Sequence, residues 1–323
     1  MTSRRRFAAT LLSAAAVAAA PSAWAANDTP IHILVGFPAG GGSDVIARLL
    51  AERLEKELGR TVLVDNRPGA GGQIAAQQLK AARADGTTVF LSHDHSISIL
   101  PQVVKKPGYA PQQDFTPLGG FATFVNGIAV SPGTPVKTVP EYVEWVKAQG
   151  GKSAVGIPAP ASTPEFLVQL IAQRWGLDLV AVPYKGSAPM MADMLGNQIA
   201  AGVGSVQDFI EYQRAGKLRM IGVLGGQRQA AMPDVPTFSE LGVKGLEDTP
   251  FYGIWAPKGT PRTFVDRFSR ALQQVVAQPD VRARLVDLGL TVEYMSPRQL
   301  DQRERAYTKV WSRIIAESGF EPR

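Results

Sequence analysis

Ile31-His32-Ile33-Leu34-Val35 is followed, after Gly36, by Phe37-Pro38-Ala39-Gly40-Gly41-Gly42-Ser43-Asp44. Beyond it Ile46, Leu49, Leu50, Leu54 and Leu58 recur at helical spacing until Gly59 stops the pattern. A β-branched run, a glycine turn and an amphipathic helix make one strand–turn–helix unit. Glycines let the backbone approach a ligand closely, and the first amides of a helix have no internal acceptor. With the helix dipole added, the turn suits an anion. Ser43 adds a hydroxyl donor. Asp44 admits two roles: a first-turn acid that complements the dipole, or an acceptor for a ligand or its water.

The same unit repeats outward. Strands are expected at Thr61–Val64, Thr87–Ser92, Gly127–Val130, Ala154–Ile157, Leu179–Val182, Ile199–Val203, Arg219–Val223, Tyr252–Ala256 and Thr291–Tyr294. Helical patterns lie between most of them, and a long one runs from Ser296 to Ser318. This alternation predicts an α/β fold with mainly parallel sheets. With 323 residues there is material for two cores. No stretch has the composition of an interdomain linker, so two crossings are expected, near Phe124–Asn126 and Phe251–Gly253. They would assign 26–125 and 252–323 to a discontinuous first lobe and 126–251 to a second, with a ligand between them.

Residues 1–25 carry the marks of a cleaved leader: Arg4-Arg5-Arg6, an apolar run from Phe7 to Ala20, and Ala23-Trp24-Ala25 as the cleavage site. The apolar run is shorter than a membrane span. Export is therefore expected, either unfolded or by the twin-arginine route. There are no cysteines, which removes disulfides, thiolate metal sites and a lipid-modified N-terminal cysteine. A free periplasmic protein without a membrane anchor is the expectation. The net charge is +6; the leader holds three of those positives, and the rest are scattered without a basic, aromatic-laced stripe. Nucleic acid is not an expected partner.

The glycine turn is not a nucleotide loop. No lysine follows Gly42, a third spaced glycine is missing, and Asp44 would repel a pyrophosphate. His93-Asp94-His95 closes the third strand, but His32 is the only other histidine and no cysteine completes a metal set. No G-x-S-x-G elbow supports a hydrolase triad. Neither a catalytic residue, a metal nor a cofactor is expected. Because ligands bind beyond the C-terminal ends of strands in open α/β sheets, His93 is kept as a ligand contact. Ser162-Thr163-Pro164 marks a helix start, either as simple capping or as a second amide cluster facing the first. Tyr184-Lys185-Gly186-Ser187 precedes another helix in the same way.

Taken together, Phe37–Asp44, Asn66-Arg-Pro-Gly-Ala-Gly-Gly72, Pro183-Tyr-Lys-Gly-Ser-Ala-Pro189, Ala215-Gly-Lys-Leu-Arg219, Met232-Pro-Asp-Val-Pro-Thr237 and Ala256-Pro-Lys-Gly-Thr-Pro261 resemble the Bug/TctC family. These are the substrate receptors of tripartite tricarboxylate transporters. The resemblance implies a type II periplasmic-binding-protein fold that closes on a di- or tricarboxylate, an amino acid or an aromatic acid, with no cofactor. It implies a two-subunit membrane permease as partner, or in orphan members a sensing role. A monomer is expected. The expected ligand contacts are Phe37, Ala39, Gly41, Gly42, Ser43, Asp44, His93, Ser162, Thr163, Ser205, Val206 and Phe251. Two departures bear on the ligand. Phe166 stands where the family often has histidine, and Gly204 where many members carry an acid. Without that acceptor an ammonium would lack a partner, so a less polar or aromatic carboxylate is expected.

Overall fold

The computed structural model describes residues 29–322; the leader and its cleavage site at Ala25 lie outside the described residues. The chain folds into two sheets. The first contains β1 (Ile31–Val35), β2 (Val62–Asn66), β3 (Thr88–His93), β4 (Phe115–Thr123), β10 (Phe251–Pro257) and β11 (Thr291–Met295). Their spatial order is β11-β4-β10-β3-β1-β2. The second contains β5 (Asn126–Val130), β6 (Lys152–Ile157), β7 (Asp178–Pro183), β8 (Ala201–Ser205) and β9 (Arg219–Val223), in the order β7-β6-β8-β5-β9.

Helices cover both sheets. In chain order they are α1 (Gly42–Leu58), α2 (Gln73–Ala81), α3 (Leu100–Val103), α4 (Pro111–Asp114), α5 (Val139–Ala148), α6 (Thr163–Trp175), α7 (Ser187–Leu195), α8 (Val206–Arg214), α9 (Arg262–Ala277), α10 (Pro279–Asp287) and α11 (Pro297–Glu317). α1 buries Ile46, Ala47, Leu50, Leu54 and Leu58 and ends at Gly59 in the left-handed conformation, which a glycine adopts without a Cβ penalty. α11 opens with a capping box between Ser296 and Gln299.

Strand direction follows from how the chain changes lobes. β1, β2 and β3 run parallel, as do β6, β7 and β8. β5 runs against β8 and β9, and β10 against β3 and β4. β5 and β10 are the strands that enter a sheet directly from the other one. Each therefore starts at the cleft and runs away from it, while its antiparallel neighbours end there. The two crossing segments lie side by side, with the Phe124 amide donating to the Pro250 carbonyl at 3.1 Å. The C-terminal strand ends of both sheets, and the helix N-termini that follow them, thus converge on one cleft.

One central strand escaped the sequence pattern. β4 carries Pro117, Gly119 and Gly120, residues that argue against a strand interior. The register between β4 and β10 is interrupted at two places. At Gly120 a Cβ would lie 2.6 Å from the Met295 methyl, so the glycine admits the β11 side chain. Beyond β3 the segment His95–Ile99 winds as a π-helical turn, again without a periodic signature.

Candidate ligand-binding cleft

Four helices begin at the cleft: α1 from the first lobe and α6, α7 and α8 from the second. Their N-terminal residues Gly42, Thr163, Ser187 and the α8 cap Ser205 all line one cavity. The remaining lining comes from Phe37, Gly41, Ser43, His93, Asp94, His95, Phe124, Asn126, Pro158, Ala159, Ser162, Pro164, Asp208 and Tyr252. Its floor is aromatic. His93 stacks on Phe37 at 5.0 Å and meets Phe124 and Tyr252 edge-on at 5.8 and 5.4 Å.

The lobes touch across this cavity. The Gly42 amide donates to Asp208 Oδ1 at 2.9 Å, and Ser187 Oγ donates to the same oxygen at 2.8 Å. Tyr252 OH accepts from Gln207 Nε2 at 2.9 Å and is bonded to Ser43 Oγ at 3.1 Å. A Cβ on Gly42 would lie 2.7 Å from Gln207 Cγ, and one on Gly186 2.6 Å from Pro38 Cδ. The space left inside is about 50 Å³, less than a benzene-sized cavity. An outer chamber of about 220 Å³ shares Phe37 and Pro158 with it and adds Gly69–Gly71, Pro160, Pro183, Tyr184, Lys185 and Gly186. The two lobes are in direct contact across the cavity.

Several side chains are electrostatically distinctive. Burial raises the Asp208 carboxyl above its ordinary range, against the opposing hydrogen bonds from Ser187 and Gly42. Burial also lowers His95 to about 4, with His93 adding to the effect and Asp94 opposing it; its imidazole is neutral at neutral pH. Both His95 ring nitrogens and Thr163 Oγ1 are buried without a hydrogen-bond partner. Asp94 is occupied: it accepts from Tyr307 OH and pairs with His93.

Eight of the twelve anticipated residues line the cavity: Phe37, Gly41, Gly42, Ser43, His93, Ser162, Thr163 and Ser205. Four do not. Ala39 is exposed at the tip of the glycine turn. Asp44 is 3% exposed and turned into its own lobe, accepting from the Gly40 amide, Arg48 and Asn66. Burial alone would raise its pKa, but these bonds together hold it below the usual carboxylate range. Val206 is buried against the hinge, its amide on the Val125 carbonyl. Phe251 packs on Tyr307 and Trp255. Its neighbour Tyr252 faces the cleft instead, because successive strand residues point to opposite faces.

Asp208, Ser187, Asn126, Tyr252 and His95 are cleft residues absent from the expected set. Asp208 overturns one step of the ligand argument, since the cleft does contain an acid beside Ser205, three residues on rather than at Gly204. Phe166 lies outside the cavity, edge-on to Trp311 at 5.1 Å and beside Phe320. Among the described residues, no group of three His, Cys, Asp or Glu side chains is placed to hold a metal. Nor is any helix among them long and apolar enough to cross a membrane.

Two sheets joined by paired crossings, with helix N-termini facing a shared cleft, define a periplasmic-binding-protein fold. The solved periplasmic binding protein BugD is 32% identical and superposes with a TM-score of 0.85, over 90% of this chain and 98% of that one. The R. palustris protein Rpa4515, solved with adipate, is 28% identical with a TM-score of 0.86, over 91% and 99%. A UPF0065 protein in the gbd 5' region of Cupriavidus necator is 32% identical over 291 residues, 90% of this chain and 88% of that protein. The model of the tripartite tricarboxylate transporter family receptor matches residues 46–320. The chain belongs to that family, whose members are binding receptors and not enzymes.

Proposed function

We propose that this chain is an exported, monomeric periplasmic receptor that closes on a small carboxylate and delivers it to a two-subunit membrane permease. The observation that carries this reading is the α1 N-terminus, whose glycine turn lines a cleft that the two lobes close upon. First-turn amides without internal acceptors bind an anion at little reorganisation cost. The aromatic floor of Phe37, His93, Phe124 and Tyr252 supports a less polar or aromatic body for the ligand. The adipate bound to Rpa4515 supports the carboxylate.

A ligand that binds the folded chain alone stabilises it by about 2.7 kcal/mol at a hundredfold excess over Kd. A thermal-shift screen of aliphatic, aromatic and amino acids should therefore raise Tm by several degrees for at least one carboxylate class. A flat response across all of them would rule the reading out.

A further inference from the structure

The floor of the cavity is tied to the C-terminal helix by a chain of buried side chains. Tyr307 of α11 has no exposed surface and donates its phenol to Asp94 Oδ2 at 3.1 Å. Burial, with the nearby Asp94 charge adding to it, raises the Tyr307 pKa, so the phenol keeps its proton. Asp94 is 3% exposed and offers its other oxygen to His93 Nδ1 at 3.2 Å. The chain thus runs from α11, through the turn after β3, to the ring that stacks on Phe37.

This arrangement decides where the ring holds its proton. The His95 amide also approaches Nδ1, from 3.4 Å. The Asp94 carboxylate is nearer and charged, and an unprotonated Nδ1 would set a lone pair against it. The proton therefore sits on Nδ1. A neutral imidazole protonated there has an acceptor at Nε2. The His93 side chain is 14% exposed and lines the inner cavity. Unlike the two His95 nitrogens, its Nε2 is not sealed off, and among the described residues nothing hydrogen-bonds it.

Resting on the receptor reading above, we propose that Asp94 and Tyr307 are positioning residues for His93, and that His93 Nε2 accepts a hydrogen bond from a hydroxyl or ammonium of the ligand. The helix N-termini around the cavity take the ligand's carboxylates, whether one or more. His93 reads the donor beside them. Phe37, Phe124 and Tyr252 hold the imidazole on three sides, and Asp94 selects which nitrogen stays free.

Two measurements on the purified chain test this. Proton–nitrogen correlation spectra at alkaline pH, where imidazoles are neutral, report the tautomer, with His93→Phe identifying the resonance. His93 should carry its proton on Nδ1 in the wild-type protein, and Tyr307→Phe should let the other tautomer appear. Calorimetry then compares succinate with malate and aspartate, propionate with lactate and alanine, and benzoate with its hydroxy isomers. At least one hydroxylated or amino acid should bind about tenfold more tightly than its parent, the scale of one buried hydrogen bond. His93→Phe, which keeps the stacking, should abolish that advantage, and Tyr307→Phe should reduce it about threefold. Both should leave the parent acid within about twofold of wild type. A proton on Nε2 in the wild-type protein would overturn the proposal while the receptor reading stands. So would an advantage that survives in His93→Phe, or parents that bind as tightly as their derivatives in every set. No binding by any of these acids would also overturn it, and the receptor reading falls as well only if the wider thermal-shift screen is flat.

Discussion

Asp44 and Asp208 occupy the same position on two helices, the third residue of the first turn of α1 and of α8. Their environments are opposite. Asp44 is satisfied within its own lobe by the Gly40 amide, Asn66 and the Arg48 guanidinium at 3.0 Å. Its carboxyl is held below the usual range. Among the described residues no side-chain cation is bonded to Asp208. It reaches across the cleft to the Gly42 amide, accepts from Ser187 of its own lobe, and burial raises its carboxyl instead. An identical local motif thus serves structure in the first lobe and lobe contact in the second. The difference lies in what each carboxylate faces once the chain has folded. Asp208 also sits on a first-turn amide that would serve a ligand anion, so the lobe contact carries its own substitute anion.

The largest effect expected from this contrast is at Gly42. Its φ is unremarkable, and the nearest atoms a Cβ would meet belong to the opposing lobe, Gln207 Cγ at 2.7 Å and Asp208 Oδ1 at 2.8 Å. Gly42→Val should leave the unliganded Tm within about 2 °C, because parting the lobes relieves the clash without unfolding either one. It should weaken ligand binding about a hundredfold by depleting the closed form. Calorimetry with the best ligand of the screen checks this. Wild-type affinity in the variant would show that the α1–α8 contact is not part of the bound state.

A smaller effect separates the two acids. Asp44→Asn should destabilise the fold by about 1–2 kcal/mol at pH 7, as loss of a buried, charge-assisted first-turn carboxylate does. Because the folded pKa is lowered, the Asp44 contribution is present above the unfolded value and lost as pH falls through the folded one. Asp44→Asn should flatten the acid limb of the stability curve. For Asp208 the sign reverses. Its raised pKa gives a contribution that is full at low pH and fades as pH rises through the folded value. Asp208→Asn should therefore leave Tm at pH 7.5 unchanged or higher, and make stability less dependent on pH just above the usual carboxylate range. Equal losses in the two variants at pH 7.5 would erase the distinction.

Much of this architecture was legible because it is periodic. Ile31–Val35, the apolar face of α1 and the stop at Gly59 follow directly from residue spacing, and so do most later elements. β4 was not legible, because Pro117, Gly119 and Gly120 are tolerated only through irregular pairing with β10 and the nearness of Met295. In the cleft, the glycine turn and the Ser162-Thr163-Pro164 start could be read as helix entrances. Asp208 could not, since an acid three residues into a helix looks like any first-turn acid until the opposing lobe is known. Tyr252 was hidden in the wholly buried run of β10, where no alternation says which face a residue takes. The sequence offers His95 as a metal-ligand candidate or, preferably, a polar loop residue at a cleft edge, whereas its distinguishing feature is two buried ring nitrogens without a hydrogen-bond partner.

The two lobes are also tied at a site away from the cleft, and this contact should matter least. α8 and α10 face each other through Arg284 and Glu211 at 3.4 Å and Arg214 and Asp287 at 3.9 Å. All four side chains are about half exposed. At physiological salt such pairs are screened and contribute roughly 0–1 kcal/mol. Arg284→Ala should accordingly change ligand affinity by less than about threefold and Tm by a degree or so. Raising the salt concentration should move the wild-type protein no more than that. A loss of tenfold or more, matched by a steep salt dependence, would shift the closing force from the amides and carboxylate of the cleft to these surface charges, and the contrast between Asp44 and Asp208 would no longer explain how the receptor shuts.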